Sequence, residues 1–252
     1  MKKKPDLVVE NELLFNIVVP LFNAEKYIEK CLNSIINQSY KKFQVQVVDD
    51  CSSDSSYEIA SSICKDNKNL KISRNSRRIG ALNNIYNLLN TKIKEPTKTV
   101  DLIIDGDDYL YSGDVFNIIK EKYFQTNCLI TYGSHISSKG VQGKKYPRLI
   151  REFNLFRKYF WYASHLRTFR HDLWLALDPE DLLNKSHEYY SVAWDLAIML
   201  PMLEMAGNRQ EFISEVLYAY NDNNPISDHR IRRKEQISAA KEIRQKKIYK
   251  KR

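Results

Sequence analysis

Apolar positions fall into two alternating rhythms along the first half of the chain. Short apolar runs have the length and β-branched content of buried strands: FNIVVP (Phe15 to Pro20), FQVQVV (Phe43 to Val48), LKIS (Leu70 to Ser73), VDLIID (from Val100) and CLITYG (from Cys128). Between them, apolar residues three and four apart predict helices. AEKYIEKCLNSIINQ places Tyr27, Ile28, Cys31, Leu32, Ile35 and Ile36 on one face, and SSYEIASSIC opens with Ser55 and Glu58 at capping-box spacing. IGALNNIYNLL, opened near Gly80, and VFNIIKEKYF complete the series. This alternation predicts an α/β fold, a mostly parallel sheet with helices on both faces, whose ligands sit beyond the carboxyl ends of the strands.

The second half is less regular. KGVQGKKYPRLI, Lys139 to Ile150, reads as a loop. RTFRHDLWLAL and YSVAWDLAIMLPMLEMAG read as helices, the second kinked or restarted at Pro201 and stopped at Gly207, and QEFISEVLYAYN reads as a strand. With 43% hydrophobic and 12% aromatic residues in 252, the chain can bury a substantial core. No apolar run approaches the roughly 20 residues of a membrane-spanning helix. The start, MKKKPDLVVENELL, has the charges of a signal peptide without its apolar region. Cys31, Cys51, Cys64 and Cys128 form no CxxC pair and read as reduced thiols of a cytoplasmic protein.

The net charge of +9 is local. From His229 to Arg252 there are 11 Lys and Arg against two acids, Glu235 and Glu242, which leaves 29 residues of each sign elsewhere. A neutral body argues against a nucleic-acid-binding fold, whose basic face is built into the domain. The expected organisation is a lead over 1–14, one domain over 15–228 with halves 15–133 and 134–228, and a basic tail over 229–252. In the tail, Ile237, Ala240, Ile243 and Ile248 recur at helical spacing. Three readings are open for it: peripheral contact with an anionic membrane, a solvated tail, or a linker or partner-binding segment.

The candidate chemistry is acidic. Asp105, Asp107 and Asp108 surround Gly106 at the end of one predicted strand, and Asp49 and Asp50 end another. Like charges this close need a compensating cation, and oxygen ligands suit Mg²⁺ or Mn²⁺, which share them with substrate phosphates. The Asp49–Asp50 pair can accept hydrogen bonds from a nucleobase and a ribose. Aspartates also cap helices and close turns, which would account for either cluster alone.

Taken together, NIVVPLFNAEKYIEKCLNSIINQSYKKFQVQVVDDCSSDSS and IIDGDDYL resemble a family 2 glycosyltransferase of the GT-A fold. The resemblance rests on Phe22–Asn23, on Gln38–Ser39–Tyr40, on Asp49, Asp50, Ser52, Ser53 and Asp54, and on a D-x-D-D motif; it covers about Phe15 to Asn221. It implies that Pro20 and Phe22 form the lip under a nucleobase and that Asp50 hydrogen-bonds it, with Asp49 either sharing that role or structural. It implies that Asp105, Gly106, Asp107 and Asp108 meet the cation and the ribose-diphosphate, with Arg77, Arg78, Gly80 and Asn84 beside the donor. The general base falls on Asp195, where Trp194 occupies the place of the family's usual Glu; Glu188 is the fallback. His165 and Arg167 are expected at the donor pyrophosphate or the acceptor, and His229 as a further metal ligand. His135, His171 and His187 are expected to be structural. The implied activity is inverting transfer from a nucleotide-sugar, expected to be UDP-linked, to a glycan or lipid-linked glycan in polysaccharide biosynthesis, with Mn²⁺ or Mg²⁺. The rivals are a nucleotidyltransferase, whose Gly-rich loop is missing from PLFNAEKY, and a non-catalytic nucleotide-sugar-binding module.

Overall fold

The computed structural model describes residues 12–225 and 231–252. The first half alternates as the pattern predicts: β1 (Leu14–Leu21), α1 (Ile28–Ile36), β2 (Phe43–Asp49), α2 (Ser56–Lys65), β3 (Leu70–Arg74), α3 (Ala81–Leu89), β4 (Thr99–Ile103), β5 (Tyr109–Leu110), α4 (Val115–Thr126) and β6 (Ile130–Ser137). The second half holds β7 (Gly140–Gln142), α5 (Arg148–Glu152), β8 (Arg167–Arg170), α6 (His171–Trp174), α7 (Trp194–Ala206), β9 (Gln210–Ala219) and α8 (Arg233–Gln245).

One sheet runs β3-β2-β1-β4-β8-β6-β9-β5, with β7 paired to β6. β3, β2, β1 and β4 are parallel. Beyond them the sheet is mixed, because β8 runs antiparallel to both β4 and β6 while β9 runs parallel to β6. Both faces of β1 are covered, which is why it reads as an unbroken apolar run. Phe15, Ile17, Val19 and Leu21 pack with α1 and α4, and Val18 faces the other core with α3 and α7.

Four expectations change in detail. Arg167–Arg170 is a strand rather than part of a helix. Phe169, Leu173 and Leu177 give it a helical spacing, but the gap between β4 and β6 is filled by buried Thr168, whose Oγ1 meets Thr131 Oγ1 (2.6 Å) and Tyr123 OH (2.9 Å). α7 runs through Pro201 without restarting, and is buried on all sides after its first two residues. Ser55 precedes α2 but makes no side-chain cap; Asp54 Oδ1 instead accepts from the Ser56 N–H (3.0 Å). The segment from Lys139 to Ile150 includes β7 and the start of α5.

The C-terminal segment packs onto the body rather than standing apart from it. Ile243 is 1% exposed and joins the α7 core, so it is not free to lie on a membrane. Arg157 forms a buried ion pair with Glu204 (Nε to Oε1 2.6 Å) and donates to the Ile243 carbonyl (2.5 Å), while Glu204 accepts from the Tyr249 N–H (3.0 Å). Arg244 donates to the carbonyls of Phe156, Arg157 and Tyr159, and Lys246 to those of Glu180 and Leu183. Part of the basic character that looked like a tail therefore satisfies backbone carbonyls of the domain.

Arg157→Met leaves Glu204 buried without its cation, and is expected to lower stability by about 3–5 kcal/mol. The double variant with Glu204→Met should recover most of that. Chemical denaturation checks it, and a single-variant loss below about 1 kcal/mol would show that the pair does not clamp the C-terminal segment.

Candidate active site

The carboxyl end of β1 organises the site. The Gly106 N–H donates to Pro20 O (3.2 Å) and the Asp50 N–H to Leu21 O (2.8 Å), so consecutive carbonyls pin both acidic turns to one strand end. A Cβ on Gly106 would lie 3.1 Å from Pro20 O and from Leu21 Cδ1. This close approach, rather than a turn conformation, is what favours glycine.

A cleft of about 270 Å³ opens above that end. Pro20, Phe22, Asp50, Arg78 and Asn84 line one side, and the Arg78 guanidinium stacks 3.8 Å from the Phe22 ring centre. Asp50 Oδ1 accepts from Asn75 Nδ2 and the Ile79 N–H, and Oδ2 from the Gly80 N–H, each at 2.9 Å. Burial alone would raise its pKa, but these donors outweigh it and hold the carboxyl below the usual carboxylate range. Gly80 sits at φ +91°, a conformation that favours glycine, and so presents its N–H to Asp50. Asp49 is fully buried, with Oδ2 held by the Ser52 N–H and Arg74 Nε (both 3.1 Å), so it belongs to the turn and not to the cleft.

The other side of the cleft carries Asp105 and Asp107, while Asp108 lies buried behind them. Asp108 accepts from Tyr218 OH and the Asn221 N–H, both at 2.7 Å. Burial, then Asp107 and Asp105, push its carboxyl well above the ordinary range. Burial also raises Asp107, against the hydrogen bond from Asn224 Nδ2 (2.7 Å). Asp105 is pushed up to about 6, chiefly by burial, with Arg167 opposing and Asp107 and Asp195 adding to it. Burial raises all three carboxyls, and the charges of Asp107 and Asp105 add to the rise at Asp108, so this edge is short of positive charge. The oxygen-rich donor set fits a hard divalent cation, which would offset that deficit.

Arg167 is 2% exposed and spans the site: Nη2 reaches Asp105 Oδ2 at 3.1 Å and Nη1 lies 3.7 Å from Asp195 Oδ2. Its guanidinium rests 4.7 Å from the Trp194 ring centre. Asp195 stands in the first turn of α7, where the helix dipole favours a carboxylate. Its Oδ2 also accepts from Trp161 Nε1 (3.2 Å). A second cleft of about 670 Å³, lined by Trp161, Tyr162, His135, Lys139 and Lys144, meets the first at His165, Asp195, Tyr220 and Gln236.

The structure thus brings Pro20, Phe22, Asp50, Arg78, Asn84, Asp105, Gly106, Asp107, His165, Arg167 and Asp195 to one cleft. Arg77 is exposed and outside it, Gly80 acts through Asp50, and Glu188 is exposed and lines neither cleft. Arg167 lies in the cleft paired with Asp105 and close to Asp195. His229 lies outside the described residues. Of the three histidines expected to be structural, His171 is buried on Asp101 (2.8 Å) and His187 is exposed beside Glu180, whereas His135 lines the second cleft. Trp161, Tyr218, Tyr220, Asn224 and Gln236 belong to no motif; the alternation of Tyr218 in β9 with Tyr220 just beyond it is their one visible signal.

A parallel half-sheet with acidic turns at its edge, joined to a mixed half that carries a carboxylate across the cleft, defines a GT-A fold. Residues 16–178 match the model of glycosyl transferase family 2, and the chain belongs to that family. It is 32% identical over 139 residues to the poly(ribitol-phosphate) beta-N-acetylglucosaminyltransferase TarS of Staphylococcus aureus, a match covering 53% of this chain and 22% of that protein. The chain therefore spans about a fifth of the length of this relative. Its fold is similar to that of S. aureus TarS 1-349 in complex with UDP-GlcNAc, with TM-score 0.61, 21% identity, and 87% of this chain and 61% of that one covered. It is also similar to a mannosyltransferase from Pyrobaculum calidifontis in complex with GDP-Man and Mn²⁺, with TM-score 0.61, 20% identity, and 93% and 65% covered.

Asp105 yields a pH dependence. Its folded-state pKa of about 6 lies above the ordinary 3.8. Below that ordinary value both states are protonated and the group costs nothing. As pH rises toward 6 the unfolded chain releases its proton first, so stability falls, and the loss is complete above the folded pKa. A divalent cation offsets the loss only where the carboxylate is ionised. Thermal melts with and without MnCl₂ should show a larger stabilisation by metal at about pH 7.5 than at about pH 5. Equal shifts at the two pH values would remove Asp105 from the metal site.

Proposed function

We propose that the chain transfers a sugar from a UDP-linked donor to a hydroxyl of a glycan or lipid-linked glycan, with inversion at the anomeric carbon and a divalent cation at the acidic turn. The observation that carries this reading is the position of Asp195, on the wall common to two clefts. One contains the acids and the nucleobase lip. The other is open and aromatic-lined, as a sugar acceptor requires.

On the donor side, Phe22 and its stacked Arg78 offer a platform for a base. Asp50 presents an acceptor, and the buried amide of Asn84 lies beside it as a donor. An acceptor beside a donor matches an N–H next to a carbonyl on a base edge. Uracil and guanine both present one, and the UDP-GlcNAc bound by the TarS relative favours uracil. Carboxylates of the Asp105–Asp108 turn would hold the cation; when bound, it neutralises charge on the departing diphosphate.

Asp195 is the general base. Trp161 and Arg167 both approach Oδ2, and among the described residues nothing bonds Oδ1, which is left to take a proton. As the acceptor hydroxyl gives its proton to Asp195, its oxygen bonds the anomeric carbon from the face opposite the diphosphate. The bond to the diphosphate oxygen breaks, and its electron pair leaves with UDP. A single displacement of this kind inverts the centre without a covalent intermediate.

Asp195→Asn is nearly isosteric and cannot take the proton. It is expected to lower turnover by roughly 10²–10⁴-fold while UDP binds with unchanged affinity. Hydrolysis of a panel of nucleotide-sugars, UDP-GlcNAc first, together with calorimetric titration of UDP, checks both halves. Near-normal turnover would place the base elsewhere, and loss of UDP binding would make the residue structural.

A further inference from the structure

The ligand-capable atoms of Asp105, Asp108 and His165 lie within 4.8 Å of one another. Asp107 stands outside this group, bonded to Asn224. The sheet explains the convergence. β4 and β8 pair antiparallel, with Ile103 opposite Arg167, and Asp105 and His165 each lie two residues beyond that pair. The histidine therefore emerges across from the first acid of the turn.

His165 is also immobilised. Its ring stacks between Tyr218 (centroids 4.9 Å, 8°) and Tyr220 (4.7 Å, 21°), and His135 closes an edge at 5.2 Å. It is 8% exposed, and its Nδ1 is buried without a hydrogen-bond partner among the described residues. An unpartnered buried nitrogen is costly, and the stacking prevents the ring from turning out to water. A fixed imidazole that brings a ring nitrogen within 4.8 Å of two carboxylate oxygens, at an edge short of positive charge, has the character of a metal ligand.

We propose that His165 is a ligand of the divalent cation, forming with Asp105 and Asp108 a mixed oxygen–nitrogen site that selects Mn²⁺ over Mg²⁺. This rests on the transferase reading above and extends it to the choice of ion. Mg²⁺ demands near-octahedral oxygen ligation and keeps its waters, whereas first-row transition ions accept imidazole alongside carboxylate. Two carboxylates and a neutral imidazole balance a doubly charged ion.

The test uses the full chain with MnCl₂, with and without UDP, followed by electron spin-echo spectroscopy. The wild type should show the modulation of a directly bound imidazole nitrogen. His165→Phe keeps a ring between the two tyrosines and should lose that modulation, as should His165→Asn, which covers a failure of the Phe variant to fold. His229→Asn should retain it. Mn²⁺ affinity should fall by about tenfold or more in the His165 variants, with Mg²⁺ affinity little changed. Bound Mn²⁺ without nitrogen modulation overturns the proposal and leaves the transferase reading standing. So does modulation that survives in both His165 variants or is lost in His229→Asn. No Mn²⁺ binding under either condition overturns the proposal and the metal-dependent reading together.

Discussion

A buried guanidinium shared by two carboxylates is the interaction on which the site depends. Arg167 holds Asp105 at 3.1 Å and stands 3.7 Å from Asp195, across the boundary between the two halves of the sheet. At about 4 Å and an effective dielectric near 20, a unit charge pair is worth about 4 kcal/mol, against about 0–1 kcal/mol for an exposed pair. Without that cation, Asp105, Asp107, Asp108 and Asp195 would crowd one desolvated edge with nothing of opposite sign at its centre. β8 must be a strand for Arg167 to arrive there, and the side-chain hydroxyls of Thr168, Thr131 and Tyr123 hold it as one.

The same requirement explains why distant parts of the chain meet at the cleft. β1 supplies the carbonyls that pin both acidic turns, α7 supplies Asp195, and β9 supplies Tyr218, which donates to Asp108 and accepts from the Asp105 N–H. α8 contributes Gln236 to the wall of both clefts, and is held to α7 by the Arg157–Glu204 pair. A break in that remote pair would therefore reach the site through the seating of α8, not through any contact with substrate.

Legibility in the sequence followed the range of the forces involved. β1, β2 and β4 were readable because burial on both faces leaves an unbroken apolar run, and Asp50, Asp105 and Asp107 because strand ends and acidic turns are local features. Asp195 was readable at a helix start. The segment from Arg167 to Arg170 read as helical because Phe169, Leu173 and Leu177 share a helical spacing, while what decides it is a gap between two strands far away in sequence. Trp161 lies 34 residues before the carboxylate it bonds, and nothing local marks it. The basic C-terminus read as a solvated run because eleven cations dominate its composition. That their partners would be carbonyls of Phe156, Tyr159 and Glu180 is a tertiary fact.

Trp194 shows how one departure from a familiar pattern can be absorbed. A second acid beside Asp195 would bring a further carboxylate to the one guanidinium and compete with Asp105 and Asp195 for its N–H groups. The tryptophan instead offers Arg167 the face of its ring at 4.7 Å, which leaves the guanidinium edges to the two aspartates. The indole of Trp161 then gives Asp195 the neutral donor that a paired acid could not give while ionised. Aromatic side chains thus hold the carboxylate in place without adding negative charge to an edge that already carries too much of it.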